Sequence, residues 1–163
     1  MDAPIIASII TGTATVSGAI ATFLIKHWET RKLQAISAER RNAVVGTWVG
    51  ESQQDLGPDG KPEMAQLKFV FATKGKKVIG TGEHSGVLAG TPYAMHLRIV
   101  GGFLHSKFLR LEYDPRDASK LQFGSVLLEL GNNADQITGR YLGFGPYTNG
   151  MVWGTISLKK AST

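Results

Sequence analysis

The chain has 163 residues, of which 42 % are hydrophobic, 9 % aromatic and 19 % charged, so it is long enough for one packed domain and too apolar to be disordered throughout. It contains no cysteine, which excludes disulfide scaffolds, thiolate metal sites, iron–sulfur clusters and thiol nucleophiles. Its formal net charge is +5 and it carries 20 glycines, a count suited to a small, turn-rich β domain rather than a helical bundle.

From the N-terminus, residues 3–25 run for 23 positions without a charge, which is the length of a bilayer-crossing helix. Asp2 and Pro4 suit the start of a helix, and nine Ile, Val, Leu or Phe residues outweigh the hydroxyl-bearing ones on an insertion scale. A cleaved signal peptide ending near Ala19-Ile20-Ala21 is the competing reading. It lacks a basic leader, because Lys26, Arg31, Lys32, Arg40 and Arg41 all follow the apolar run. Residues 26–41 hold five basic and two acidic side chains, net +3, so a single-pass anchor is expected to keep the C-terminal part in the cytoplasm, with Trp28 at the interface.

At 100° per residue the small residues of this run gather on one side, Ser8, Gly12, Thr15, Gly18 and Thr22 among them, opposite Ile6, Ile9, Ile10 and Phe23. Small residues at such spacings let membrane helices approach closely, so this stripe is a candidate helix-packing face. Residues 26–42 have helix-forming composition without an evident breaker and are expected to continue as a basic helical stalk.

Beyond Asn42, in a domain spanning 43–163, short alternating runs are separated by explicit turn signals. Strands are expected at 43–52, 64–72, 76–83, 93–100, 103–113, 121–130, 136–143 and 151–159. Between them lie Gly57-Pro58-Asp59-Gly60, Lys74-Gly75, Gly90-Thr91-Pro92, Gly101-Gly102, Asp114-Pro115, Gly131-Asn132-Asn133 and Asn149-Gly150. Eight strands joined by hairpins predict a small antiparallel up-and-down barrel, closed by pairing of the first strand with the last; a two-sheet sandwich is the alternative. The expected fold is therefore all-β, an eight-stranded barrel preceded by one transmembrane helix and a stalk.

No catalytic motif emerges. Gly80-Thr81-Gly82-Glu83-His84-Ser85-Gly86 imitates a dinucleotide fingerprint, but its third glycine is one position late and no helical pattern follows. His27, His84, His96 and His105 lack metal-ligand spacing, and neither a metal nor another cofactor is expected. Tyr93, Met95, Leu97 and Ile99 fall on one strand face, as do His105, Lys107, Leu109, Leu111 and Tyr113. If those faces point inward, His105 and Lys107 bring cationic character into an aromatic interior. Arg140, Tyr141 and Tyr147 crowd the last hairpin, and Trp48 belongs to the opening strand. Aromatic planes beside cations suit a nucleotide, whose bases stack and whose phosphates need neutralising.

The arrangement resembles the membrane-anchored β-barrel effectors of bacterial CBASS-type antiphage systems. The likeness rests on Gly46-Thr47-Trp48-Val49-Gly50, on Gly139-Arg140-Tyr141-Leu142-Gly143 and on Val152-Trp153-Gly154-Thr155-Ile156-Ser157-Leu158-Lys159. It implies a non-enzymatic receptor in the bacterial inner membrane whose barrel binds a cyclic di- or oligonucleotide. Ligand would then drive homo-oligomerisation and disruption of the bilayer, with no DNA or RNA polymer as partner. This chain offers one candidate membrane segment where that family usually has two. A membrane-tethered, lipocalin-like carrier of an apolar small molecule is the second reading, and a ligand-free scaffold or a hydrolase the third.

Overall fold

The computed structural model describes residues 36–55, 62–88, 90–119, 121–145 and 149–162. Eight antiparallel strands close into a barrel in sequence order: β1 Gly46–Gln54, β2 Glu63–Lys74, β3 Lys77–Leu88, β4 Thr91–Leu104, β5 Phe108–Pro115, β6 Phe123–Leu130, β7 Gln136–Gly145 and β8 Gly150–Lys160. Closure comes from β1 pairing with β8, Glu51 opposite Ser157, as the sequence suggests. A closed barrel leaves no free sheet edge.

Alternation decides which residues form the core. On β2, Ala65, Leu67, Phe69 and Phe71 point inward while Met64, Gln66, Lys68 and Val70 face out. On β4, Tyr93, Met95, Leu97 and Ile99 point inward together, as expected. That phase runs on unbroken through Gly101 to Phe103, which is buried. The turn expected at Gly101-Gly102 is thus corrected: both glycines lie inside β4, opposite Leu111 and Arg110. A side chain at Gly101 would collide with the Arg110 carbonyl, so here glycine serves close strand approach rather than a turn. The chain reverses instead through residues 105–107, where His105 takes φ 60°.

The helical part of the expected architecture is also corrected. Among the described residues there is one helix, α1 (Ala38–Val44), seven residues long, and none is long and apolar enough to cross a membrane. Ser37 is its N-cap, with φ −54° and ψ 147° and a side chain that accepts a hydrogen bond from the Arg40 amide. An extended residue at that position starts a new helix, so α1 is not the tail of a continuous stalk. Ser8, Gly12, Thr15, Gly18 and Thr22, with the whole apolar run, lie outside the described residues.

Instead, α1 docks on one end of the barrel. Val44 is fully buried, and Ile36 and Ala43 pack against the core beside it. Arg41 donates to the Gly75 carbonyl in the β2–β3 turn at 3.0 Å, Arg40 to the Gly131 carbonyl in the β6–β7 connection at 3.4 Å, and Lys160 to the Ala43 carbonyl at 2.8 Å. Trp48 sits directly beneath. Its side chain is 0 % exposed, its Nε1 donates to the Val44 carbonyl at 2.8 Å, and the Lys160 ammonium lies 5.6 Å from its ring centre.

Candidate ligand-binding site

The register divides the barrel interior into two halves. The end closed by α1 carries the β2–β3, β4–β5 and β6–β7 connections. Eleven side chains inside that half, Val44, Trp48, Phe71, Val78, Phe103, Leu109, Leu111, Leu128, Leu130, Ile137 and Leu158, are each at most 1 % exposed. This end is solid. The opposite end carries the other four strand connections and contains a partly open cavity of about 80 Å³.

Aliphatic side chains line much of the cavity wall: Leu67, Met95, Leu97, Ile99, Val126, Val152 and Ile156. Phe69, Tyr93, Tyr113, Tyr141 and Phe144 add aromatic surface. Polar groups are few and come from separate elements: Ser52 and Gln54 on β1, Glu63 at the start of β2, His84 on β3, and Gln122 just before β6. An apolar lining with a small number of placed polar groups is the usual constitution of a small-molecule site. No Lys or Arg occurs among the described lining residues.

Rings lie over glycines along the wall. Tyr93 faces Gly86 across β3 and β4, and a Cβ at Gly86 would come within 3.0 Å of its hydroxyl. Phe69 covers Gly82 in the same way. The Tyr113 hydroxyl takes the space that a side chain at Gly124 or Gly143 would fill.

The interior disfavours charge of either sign. Burial lowers the His84 imidazole to about 4, so it is neutral at physiological pH. Burial also pushes the Tyr113 hydroxyl up to about 12. Tyr141 is raised further, first by burial and then by the negative charge that Tyr113, Tyr93, Asp55 and Glu63 can carry. The His84 and Tyr93 rings meet edge to face, with centroids 5.4 Å apart, and the Tyr93 hydroxyl is 3.4 Å from His84 Nε2.

Of the residues singled out in the sequence, Tyr93 and Tyr141 line the cavity. Trp48 is at the closed end, in the packing described above. His105 and Lys107 belong to the turn between β4 and β5, also at the closed end, and Lys107 pairs with Glu129 on the surface. The strand phase that carries Leu109, Leu111 and Tyr113 inward therefore does not extend back to them. Arg140 is exposed on the outer face of β7. Tyr147 lies outside the described residues. The inferred cationic-aromatic cluster is accordingly not assembled among these positions.

The other lining residues are not among the sequence-derived site candidates, and Tyr113, His84 and Gln122 are the informative cases. Tyr113 shared the inward phase of β5, which was its signal. His84 is in phase with Val78, Gly80 and Gly82, but a face so rich in glycine gives no hydrophobic pattern by which to recognise it. Gln122 precedes its strand, where no periodicity applies.

No protein-family model and no curated protein sequence matches the chain. Solved structures do. A redesigned β-barrel, b11L5F_LGL, superposes with a TM-score of 0.54 at 10 % identity, over 78 % of this chain and 100 % of that one. EF1p2_mFAP2b bound to DFHBI superposes with a TM-score of 0.57 at 10 % identity, over 77 % of this chain and 100 % of that one. At this identity the likeness is one of fold: this chain is an eight-stranded barrel similar in fold to a redesigned β-barrel and to EF1p2_mFAP2b, the latter bound to DFHBI.

Proposed function

We propose that the barrel is a receptor or carrier for a small, neutral, largely apolar molecule held in the cavity at its open end. The observation that carries this reading is the contrast between the two halves of the interior. The end under α1 is packed to the axis, whereas the other end leaves a cavity walled by aliphatic and aromatic side chains. The similar fold of EF1p2_mFAP2b, which is bound to DFHBI, supports it, since a barrel of eight strands can enclose one small ligand.

The lining argues for a neutral ligand. A cyclic nucleotide, as the likeness to CBASS-type effectors implies, needs cations at its phosphates. The described lining supplies none and places the Glu63 carboxylate at the mouth, while Lys107 and Arg140 stand elsewhere. An anion entering this interior meets the same desolvation cost that raises Tyr113 and Tyr141.

The test is a methyl-NMR titration of the full chain with indole and, separately, with a cyclic dinucleotide. Saturable shifts at Leu97, Val126 and Val152 are expected with indole, and none with the nucleotide. Saturable shifts of those methyls by the nucleotide, with indole inert, would reverse the assignment.

A further inference from the structure

Gln122 is the buried polar group that the fold does not account for. It is 8 % exposed, it lines the cavity, and its side-chain Oε1 receives no hydrogen bond from any described residue. Buried acceptors are nearly always paired, because an unpaired one keeps the full cost of leaving water. A glutamine held at such a position without a donor among the described residues marks where a donor arrives from outside. The amide oxygen only accepts, so its missing partner carries an N–H or an O–H.

The surroundings restrict that partner further. Val126 on β6 and Val152 on β8 offer no polar side-chain atoms, and the aromatic side chains of Tyr113 and Tyr141 in the lining favour a flat, aromatic body. The lining also carries the Glu63 carboxylate, whose negative charge disfavours an anionic ligand.

We infer that Gln122 Oε1 is the anchoring acceptor of the site, and that the ligand is a neutral aromatic molecule presenting an N–H or O–H donor to it. This inference rests on the proposed binding function and adds the chemical class of the ligand and the residue that selects it.

The experiment compares three probes on the full chain by the same methyl-NMR titration: indole, which carries an N–H; 1-methylindole, which lacks it; and 3-methylindole, which keeps it while adding the same carbon. The parent should bind indole roughly tenfold more tightly than 1-methylindole, the scale of one buried hydrogen bond. 3-Methylindole should side with indole. Gln122→Met, similar in length and apolar, should reduce the preference to about twofold or less, while 1-methylindole binds it as it binds the parent. Equal binding of indole and 1-methylindole by the parent overturns the inference without any variant being made. So does a preference that survives Gln122→Met, or 3-methylindole siding with 1-methylindole, which would reduce the effect to bulk. If no probe binds the parent, the binding function itself fails, an outcome distinct from binding without preference.

Discussion

Identical substitutions in the two halves of the barrel should have different costs. Leu128, at 0 % exposed, lies in the packed half between Leu109 on β5 and Gly139 on β7, whereas Leu97, at 4 %, lines the cavity opposite Gly82. Leu→Ala removes three carbons from the interior in either case, about 2.4 kcal/mol at ~0.8 kcal/mol each. At Leu128 the neighbours are fixed by the α1 plug and Trp48, so a void remains; at ~24 cal/mol per Å³, a void of about 70 Å³ adds about 1.7 kcal/mol. At Leu97 the removed volume merges with space already open toward the mouth, and this second contribution largely vanishes. Leu128→Ala should therefore cost about 4 kcal/mol and Leu97→Ala about 2.5 kcal/mol. Equilibrium urea unfolding reads the difference directly: with an m-value of about 2 kcal/mol/M, the midpoints should differ by about 0.8 M. Indole binding should change in Leu97→Ala and not in Leu128→Ala. A Leu97→Ala cost equal to or above that of Leu128→Ala would refute the division of the interior into a solid and a hollow half.

Lowering the pH should destabilise the fold through His84: its imidazole titrates at about 4 when folded against an ordinary 6.5, so between those values the unfolded chain binds more protons. Stability should rise from pH 4 to 6.5 by up to about 3 kcal/mol on this account, and urea midpoints measured against pH should show that slope flattened in His84→Gln. Trp48→Phe keeps the aromatic bulk but strands the Val44 carbonyl beneath α1, and should cost about 1–3 kcal/mol in the same assay while leaving indole affinity unchanged. Lys107→Ala and Arg140→Ala should each leave probe affinity within about twofold and stability within about 1 kcal/mol, since Lys107 makes a half-exposed ion pair and Arg140 faces solvent; a large loss of binding in either would place the site elsewhere.

The sequence carried the barrel because the strand signal is local and repetitive: alternation on β2, β4 and β8, with turns marked by glycine, asparagine and proline, is enough to count strands and orient them. It misled where one residue type has two uses. Gly101-Gly102 reads as a turn until the phase from Tyr93 is followed through to Phe103, and then it reads as a place where two backbones come close. Ser37 reads as a tolerable helix residue, and it is a cap. The site was legible only as far as the alternation reached. Tyr93 follows from strand phase, and Tyr141 stands out only through the crowding of the last hairpin; Lys107 reads as inward only when the phase of β5 is extended into a turn; Gln122 sits before its strand begins, where only three-dimensional burial reveals it.

The high glycine count has a further role that composition alone does not disclose. On β3 the inward positions from Val78 to Gly86 are Val78, Gly80, Gly82, His84 and Gly86, so this strand contributes two side chains to the interior where five would be usual. Phe71, Phe69 and Tyr93 lean from the adjacent strands into the places of Gly80, Gly82 and Gly86, and Tyr113 does the same over Gly124. Rings laid along the wall bury their faces against backbone, which stabilises the sheet locally, but they do not reach the axis as rings projecting inward would. At the closed end Trp48 and the α1 plug fill the axis that remains. At the open end no such plug occurs among the described residues, and the cavity follows from that. A larger residue at Gly82 or Gly86, where an added side chain meets the Phe69 or Tyr93 ring and no backbone, would push that ring from its place on the wall. Ring-over-glycine packing thus helps to leave the cavity open, and the aromatic part of its wall follows from the same pairs.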